Sequence, residues 1–399
     1  MRMRARLFSI GVATLAAIPL AALGTAEASH AAAQPARAKT AHSCAAPQAG
    51  HASCKAIVRT DITSTRSVSP QATPSGYGPS SLQSAYKLPS ATAGSGRTVA
   101  IVDAYDDPTA EADLAVYRSQ FGLPACTAAN GCFKKTDQRG GTRYPRKDGG
   151  WAQEISLDLD MASAICPNCH ILLVEAKSSS FANLGAAVNQ AAATPGVVAI
   201  SNSYGGSDAS DATYGSYYNH PGIAVTASSG DNGYGASYPA SSHYVTAVGG
   251  TTLNTASNTR GWGETAWSGA GSGCSTYNAA LSAAASFDTG CAKRAESDVS
   301  AVADPSTGVA VYDSTAYQGY SGWMVFGGTS VSSPIIASVY ALAGNTATID
   351  NNYPYTHSSA LWDVTSGSNG TCPTSQWCNA RTGWDGPTGL GSPNGIGAF

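Results

Sequence analysis

Strands and helices alternate along most of this chain, and this alternation constrains the fold more than any other feature. From about residue 77 onward, apolar runs typical of buried strands cover 98–102, 170–175, 197–202, 223–227 and 245–248. Patterns that predict helices cover 109–121, 151–165, 183–193 and 330–343. We therefore predict an α/β fold, a doubly wound and largely parallel sheet with helices on both faces. A stretch rich in Gly, Ser and Ala, at 262–287, is expected to form surface loops.

The N-terminus has the layout of an export signal. Three arginines precede an apolar run over residues 10–23, and small residues follow it. We predict a secretory signal peptide over residues 1–28. No later stretch reaches the roughly eighteen consecutive apolar residues that a membrane span needs. The mature protein is therefore expected to be secreted, extracellular and without a membrane partner.

Residues 29–75 differ in texture from the rest of the chain. They are rich in Ala, Ser, Thr, Pro and Gln and contain few large apolar groups, so they cannot bury enough surface to fold independently. We predict a short propeptide or linker there and one domain over residues 76–399. We expect that domain to be monomeric.

Charged residues are scarce. Asp, Glu, Lys and Arg make up 12% of the sequence, and the formal net charge is −3 at pH 7. This balance favours neither nucleic acid nor an anionic membrane as a partner. A surface of uncharged polar residues changes its charge little when the pH falls, which indicates tolerance to acid.

The ten cysteines fall into five pairs that are close in sequence. For a secreted chain this predicts five local disulfides, although spacing does not prove connectivity. Cys166 and Cys169, followed by His170, have the spacing of a metal or redox motif. Since no second pair of this kind accompanies them, a structural disulfide is the preferred interpretation.

Ser330 is the first candidate for chemistry. It follows Gly327, Gly328 and Thr329 and opens a predicted helix. The glycines permit a tight turn, and a helix N-terminus favours developing negative charge, which suits a nucleophile. The alternative interpretation is an ordinary serine at a helix N-cap.

A serine nucleophile needs a base, and the histidines do not supply one. His30, His42 and His51 lie in the N-terminal tail, and His170, His220, His243 and His357 lack the context of a catalytic histidine.

Two carboxylates offer another choice of base. Glu154 and Asp158 are spaced i, i+4 on a predicted helix with apolar neighbours, which places like charges on one face. The alternative is a solvated acidic face.

Asp231 is the third candidate. It lies in a Gly-rich turn directly after the apolar run 223–227, so it follows the carboxyl end of a strand, where ligands of parallel sheets bind. The alternative interpretation is a simple turn aspartate.

Together these segments resemble the sedolisins, the serine-carboxyl peptidases, which have a subtilisin-like fold. The resemblance extends from about residue 77 to 399 and includes supporting stretches at 99–105, 201–206, 238–242, 245–251 and 298–302. It implies an endopeptidase that hydrolyses protein or peptide substrates through an acyl-enzyme.

The resemblance also implies a role for each catalytic candidate. Ser330 would be the nucleophile and Glu154 the general base and acid, with Asp158 orienting Glu154 through a shared proton. Asp231 would lie in the oxyanion hole, where a carboxyl group helps only if it is protonated. Clustered carboxyls that share protons favour activity at acidic pH, below about 6.

A calcium site is implied near the C-terminus. The resemblance points to one structural Ca²⁺ bound by the side chains of Asp363 and Asp385 and by the carbonyls of Val364, Arg381 and Gly383. Oxygen ligands of this kind suit a hard cation.

Sedolisins usually carry a large folded propeptide, whereas this chain has only about fifty low-complexity residues before its domain. How the enzyme would be kept inactive therefore stays open. Two other functions also stay open: a subtilisin-type enzyme with a histidine base, and an inactive secreted binding module that retains the fold. Sequence does not reveal the cleavage preference.

Overall fold

The computed structural model describes residues 38–62, 74–348 and 350–399. The predicted signal peptide over 1–28 lies outside the described residues. Within the described ranges, no helix has both the length and the apolar character required to cross a membrane.

All four predicted helices are present, with ends that differ by a few residues, and the described residues also contain three short helices that were not predicted. In the described part of the chain, the α-helices are α1 Pro79–Ala85, α2 Ala110–Gln120, α3 Gly149–Ile165, α4 Phe181–Ala192, α5 Asp211–Tyr214, α6 Thr329–Ala343 and α7 Tyr353–Thr356.

The strands include each of the predicted ones. They are β1 Thr40–His42, β2 Ser53–Cys54, β3 Ile57–Arg59, β4 Thr98–Ala104, β5 Phe133–Asp137, β6 His170–Ala176, β7 Val197–Asn202, β8 Tyr204–Ser207, β9 Ala224–Ser228, β10 Ser237–Tyr238, β11 Thr246–Thr255, β12 Trp262–Ala266, β13 Gly273–Cys274, β14 Ala295–Glu296, β15 Val299–Val302, β16 Val309–Tyr317, β17 Tyr320–Gly327, β18 Leu361–Trp362 and β19 Ser392–Pro393.

The central sheet is largely parallel, which confirms the predicted fold class. Its strand order is β12-β11-β9-β7-β4-β6-β5, and β15 pairs with β11 outside this path. Every pairing is parallel except that of β12 with β11. The carboxyl ends of β4, β7 and β9 therefore lie along one edge of the sheet. Asp103, Ser203 and Asp231 lie at or just beyond those ends.

Helices cover both faces of this sheet. Val99 of β4 belongs to the apolar cluster that contains Ile155 of α3 and Ile335 of α6. Its neighbour Ala100 belongs to the cluster that contains Leu184 of α4. Because successive side chains of a strand point to opposite faces, β4 is buried by helices on both sides. Helices α3 and α6 pack against each other on the same face, which brings Glu154 and Ser330 together.

The prediction of surface loops over 262–287 is wrong in part. Residues Trp262–Ala266 form β12, which extends the central sheet by pairing with β11. Trp267, Ala270 and Ser272 are buried as well. Small residues are abundant here because the backbone packs closely: a Cβ on Gly271 would lie 2.1 Å from the carbonyl oxygen of Ser229.

Residues 38–62, which we call the N-terminal strap, fall inside the interval predicted to be a propeptide or linker. They form β1, β2 and β3, and they pack on the rest of the chain. Strand β2 pairs with β8 and β3 pairs with β17, both antiparallel. Long-range strand pairing thus orders a segment that has too few apolar residues to fold alone.

The five predicted disulfides are all present. They join Cys44 to Cys54, Cys126 to Cys132, Cys166 to Cys169, Cys274 to Cys291 and Cys372 to Cys378. Cys166 and Cys169 are therefore a structural pair, and the described residues contain no free cysteine.

Candidate active site

Ser330 lies in the first turn of α6, directly after the turn that follows β17. Gly328 precedes this helix with a φ of 95°, a backbone conformation that favours glycine. The N–H groups of a first helical turn have no acceptor within the helix, and they point toward the space in front of the turn. Ser330 itself is fully buried.

The hydroxyl of Ser330 is hydrogen-bonded to a carboxylate. Its Oγ donates to Oε2 of Glu154 at 2.8 Å and lies 3.3 Å from the carbonyl oxygen of Ser203. No histidine nitrogen in the described ranges is hydrogen-bonded to this hydroxyl. A carboxylate therefore occupies the position that a base must have to receive the proton of Ser330.

Glu154 and Asp158 form a buried acidic pair on α3. Both side chains are fully buried. Oδ1 of Asp158 accepts a hydrogen bond from Oγ of Ser203 at 2.8 Å. Neither Oε1 of Glu154 nor Oδ2 of Asp158 has a hydrogen-bond partner. Burial, the charge of Asp103 and the contact with Glu154 raise the pKa of Asp158 well above its ordinary value, so the pair tends to retain a proton.

Asp103 joins this cluster, and the sequence reasoning missed it. It lies near the carboxyl end of β4, fully buried, and neither of its carboxyl oxygens has a hydrogen-bond partner. Burial raises the pKa of Asp103 to about 8. Burial and, after it, the charge of Asp103 raise the pKa of Glu154 well above its ordinary value. The sequence pattern does indicate Asp103, because an aspartate near the end of a buried parallel strand lies at the edge of the sheet where ligands bind.

Asp231 approaches from the turn after β9. Its Oδ1 accepts hydrogen bonds from the main-chain N and the Oγ1 of Thr329, at 2.7 and 2.8 Å. Its Oδ2 has no partner. Burial raises the pKa of Asp231 above its ordinary value. The four side chains singled out from the sequence, Ser330, Glu154, Asp158 and Asp231, therefore surround one point of the fold.

The N-terminal strap crosses this point. The main-chain N–H groups of Lys55 and Ala56 donate to Oε2 of Glu154 at 2.9 and 2.8 Å. No local sequence pattern indicates this contact, because it depends on the pairing of β2 and β3 with distant strands. The strap thus contacts the candidate base through its main chain and not through a side chain.

The residues predicted to bind calcium also lie close together. Oδ2 of Asp363 accepts a hydrogen bond from Gly383 N at 2.9 Å, and Oδ2 of Asp385 accepts one from Arg381 N at 3.1 Å. Burial raises the pKa of Asp385 to about 7, and the nearby charge of Asp363 contributes. Two neighbouring carboxyls without a basic partner fit a cation with oxygen ligands.

No set of three or more His, Cys, Asp or Glu side chains in the described ranges could hold a metal ion. A site at Asp363 and Asp385 would therefore depend on main-chain carbonyls for its remaining ligands, as the sequence analysis expects for Val364, Arg381 and Gly383.

Comparison with known proteins gives a consistent set of relatives. No protein-family model matches the chain. It is similar to kumamolisin of Bacillus sp. strain MN-32, with 30% identity over 370 residues that cover 82% of this chain and 64% of that protein. It is similar to sedolisin of Pseudomonas sp. strain 101, with 27% identity over 368 residues that cover 80% of this chain and 60% of that protein. The chain thus spans about three fifths of the length of these two relatives.

A solved structure agrees with the sequence relatives. Pseudomonas sedolisin, a serine-carboxyl proteinase complexed with two molecules of pseudo-iodotyrostatin, superposes with a TM-score of 0.67 at 27% identity. The superposition covers 81% of this chain and 96% of that one. Fold and sequence therefore point to the same relatives.

Proposed function

This chain belongs to the sedolisin family, the serine-carboxyl peptidases, and on that premise we propose that it is an endopeptidase acting through an acyl-enzyme on Ser330. Its substrates are protein or peptide chains. The observation that carries the proposal is the 2.8 Å hydrogen bond from Ser330 Oγ to Glu154 Oε2, which pairs a hydroxyl at a helix N-terminus with a buried carboxylate.

Glu154 acts as the general base and acid. It takes the proton of Ser330 while Oγ attacks the substrate carbonyl, and it then gives that proton to the leaving amine. Asp158 holds Glu154 through the proton that the two carboxyls share, and Ser203 orients Asp158 through its hydroxyl. Asp103 is a positioning residue whose burial beside the pair favours retention of that proton.

Asp231 stabilises the oxyanion. Thr329 occupies its Oδ1 with two hydrogen bonds, which leaves Oδ2 without a partner. A protonated Oδ2 can donate to the developing negative charge, as the main-chain N–H of Ser330 can from the other side. Burial raises the pKa of Asp231, which supports the protonated form in acid.

The acidic cluster sets the direction of the pH dependence. Raised pKa values mean that the cluster of Asp103, Glu154, Asp158 and Asp231 as a whole retains shared protons above the usual range of carboxyl groups, while Oε2 of Glu154 remains the acceptor of the Ser330 hydroxyl. As the pH rises, the cluster loses the protons that the oxyanion donor and the Glu154–Asp158 contact require. Activity is therefore highest in acid.

One structural Ca²⁺ near the C-terminus belongs to the same proposal. The side chains of Asp363 and Asp385 and the carbonyls of Val364, Arg381 and Gly383 would hold it. Such an ion would neutralise two neighbouring carboxylates and hold together two parts of the connection between β18 and β19.

Export and a monomeric state complete the proposal. Five disulfides within a single chain are typical of proteins made for an oxidising compartment. We therefore assign the mature enzyme to the extracellular space, with a signal peptide over residues 1–28.

One assay separates this proposal from its alternatives. Purified enzyme is tested on a denatured protein at pH 4 and pH 8, beside Ser330→Ala and Glu154→Gln variants. Activity that is highest at pH 4 and lost in both variants supports the proposal. Activity highest at pH 8 that survives Glu154→Gln would indicate a histidine base. No activity at either pH in folded, processed protein would favour a binding module.

A further inference from the structure

We propose that the N-terminal strap is bound as the first substrate of this chain, and that Ser330 cuts its own polypeptide between Lys55 and Ala56. This inference rests on the proposed peptidase function. It assigns a processing site and an inhibitor to a segment that composition alone describes only as a propeptide or linker.

The residues before the bond run along a strand that borders the site. Ser53 and Cys54 of β2 pair antiparallel with Gly205 and Tyr204 of β8. Lys55 N continues this pairing by donating to the carbonyl oxygen of Ser203 at 3.2 Å. An extended peptide added to a strand beside the nucleophile is held by main-chain hydrogen bonds, which is a recurring way in which proteins bind peptides.

The bond itself lies against the catalytic groups. Oε2 of Glu154 accepts from Ala56 N at 2.8 Å and from Ser330 Oγ at 2.8 Å. A general acid must reach the leaving nitrogen, and a general base must reach the nucleophile. For the Lys55–Ala56 bond, one oxygen of Glu154 meets both requirements.

The carbonyl of Lys55 lies beside the oxyanion donors. A Cβ built on Gly328 would lie 1.8 Å from the carbonyl oxygen of Lys55 and 3.1 Å from Oδ2 of Asp231. Both oxygens are therefore next to Gly328, and Oδ2 of Asp231 is the atom without a partner. This is the placement that an oxygen about to become negative requires.

The side chain of Lys55 is also accommodated. Only 8% of Lys55 is exposed. A Cβ on Gly205 would lie 3.4 Å from Cε of Lys55 and 2.5 Å from Oγ of Ser237, so the side chain fits in the space that Gly205 leaves open near β10. The strap thus fills a side-chain pocket as well as the main-chain track.

The reaction consumes one water molecule. Oγ of Ser330 attacks the carbonyl carbon of Lys55 and its proton passes to Glu154. The C–N bond to Ala56 then breaks as Glu154 protonates the nitrogen of Ala56, which becomes a free amine. Water attacks the Lys55 ester, gives one proton to Glu154, and releases Lys55 as a carboxylic acid while Ser330 recovers its proton.

The two products differ in how they are held. Residues after the bond remain in a sheet, because β3 pairs with β17 at Ile57 and Val58. Residues before it are held by two short pairings, β1 with β3 over three residues and β2 with β8 over two, and by the loop that the Cys44–Cys54 disulfide closes. The cut removes the covalent link to β3, so the fragment that ends at Lys55 leaves and opens the site once these short pairings separate. Before the cut, the strap excludes other substrates from the site.

The test follows the N-termini of the full-length chain. Oxidised protein purified at pH 7.5 is shifted to pH 4, and intact mass and N-terminal sequencing are recorded over time. We expect a new terminus at Ala56 that forms with a rate independent of a tenfold dilution, since the bond already lies in its own site. Hydrolysis of an added fluorogenic peptide should start after a lag and rise in step with that terminus.

Two controls accompany the measurement. Lys39→Ala removes an exposed lysine of the same strap and should be cut like the wild type. Ser330→Ala should keep its bond between Lys55 and Ala56. Cutting of Ser330→Ala at this bond, a rate proportional to protein concentration, or full peptidase activity before any cut would overturn the inference.

Failure of the inference and failure of the proposed function give different results. An enzyme that hydrolyses an added denatured protein but keeps the Lys55–Ala56 bond, or cuts elsewhere, refutes self-processing and leaves the peptidase function standing. An enzyme that hydrolyses neither its strap nor the added protein refutes both.

Discussion

The hydroxyl of Ser330 and the carboxylate of Glu154 are hydrogen-bonded at 2.8 Å although the residues are 176 positions apart in the sequence. The contact exists because α3 and α6 pack side by side on one face of the sheet. Each residue lies near the start of its helix, so both point toward the edge where the strands end. The chemistry of the site therefore depends directly on the crossover topology of a parallel sheet.

Replacing Glu154 by Gln tests the base. The amide keeps the shape but cannot accept the proton of Ser330, so kcat should fall by about 10²–10⁴ while KM changes little. Glu111→Gln, a change of the same type at a partly exposed residue of α2 that accepts a hydrogen bond from Ala128 N, serves as the control and should retain wild-type kinetics. A kcat within threefold of wild type for Glu154→Gln would rule out this residue as the base.

The sequence predicted the architecture well because buried parallel strands and helices have different apolar periods. The runs at 98–102 and 197–202 became β4 and β7 with only small changes at their ends. The stretch 262–287 was predicted less well. Its many glycines are typical of a loop. Positions 271 and 273 nevertheless require glycine because main-chain atoms lie 2.1 Å from the Cβ position of Gly271 and 2.5 Å from that of Gly273.

The candidate site was predictable in its parts but not in its contacts. Ser330, Glu154 and Asp231 each follow a local pattern, namely a glycine turn, an i, i+4 acidic pair and a strand end. Asp103 follows the same strand-end pattern and could have been identified. The approach of Lys55 and Ala56 to Glu154 could not, because it depends on the pairing of β2 with β8 and of β3 with β17, and no local pattern specifies pairing between strands so distant in the sequence.

Replacing Asp231 tests the oxyanion donor. Thr329 donates two hydrogen bonds to Oδ1, so an asparagine at this position would place its oxygen there and its NH₂ group at the unpartnered Oδ2 position. Asp231→Asn should then keep a donor at every pH, and its activity should decline less steeply above neutral pH than that of the wild type. Asp231→Ala should lose about 10²–10³ in kcat at all pH values. Equal losses in both variants with unchanged pH profiles would contradict a donor role.

Asp103 should make stability depend on pH. Its pKa rises from 3.8 to about 8 on burial, so the folded state binds a proton that the unfolded state releases between these values. The free energy of unfolding should therefore decrease as the pH rises from about 4 to about 8. Asp313, with a pKa of about 8, acts in the same direction. Urea denaturation of the Ser330→Ala protein at pH 5 and pH 8 measures the effect without autolysis.

The Asp103→Asn change sharpens this test. An uncharged amide removes the ionisation that burial opposes, so the variant should be more stable than its parent at pH 5, and its gain should be larger at pH 8 by on the order of 1 kcal/mol or more. Asp288→Asn, at an exposed position, should shift stability equally at both values. A pH dependence that persists unchanged in Asp103→Asn would assign it to other groups.

Calcium removal should destabilise the protein if Asp363 and Asp385 bind the ion. Calcium at a hundred times its Kd would contribute about 2.7 kcal/mol to folding, so a chelator should lower Tm by several degrees. Asp385→Asn should abolish the response to calcium, and Asp288→Asn should retain it. The same Tm with calcium and with chelator would exclude a structural ion at this site.

Gly328 offers a direct test of the strap, because its Cα lies against the carbonyl of Lys55. A Cβ there would lie 1.8 Å from that oxygen, so Gly328→Ala should displace the strap from the site. It would also strain the backbone, since φ is 95° at this position. Gly319 separates the two effects: its φ is 83° and nothing lies within 4 Å of its Cβ position, so Gly319→Ala carries strain of the same kind without the collision.

We expect Gly328→Ala to slow the appearance of the Ala56 terminus at least tenfold and Gly319→Ala to leave it unchanged. If both variants process at the wild-type rate, Lys55 does not occupy the position beside Gly328 during the reaction.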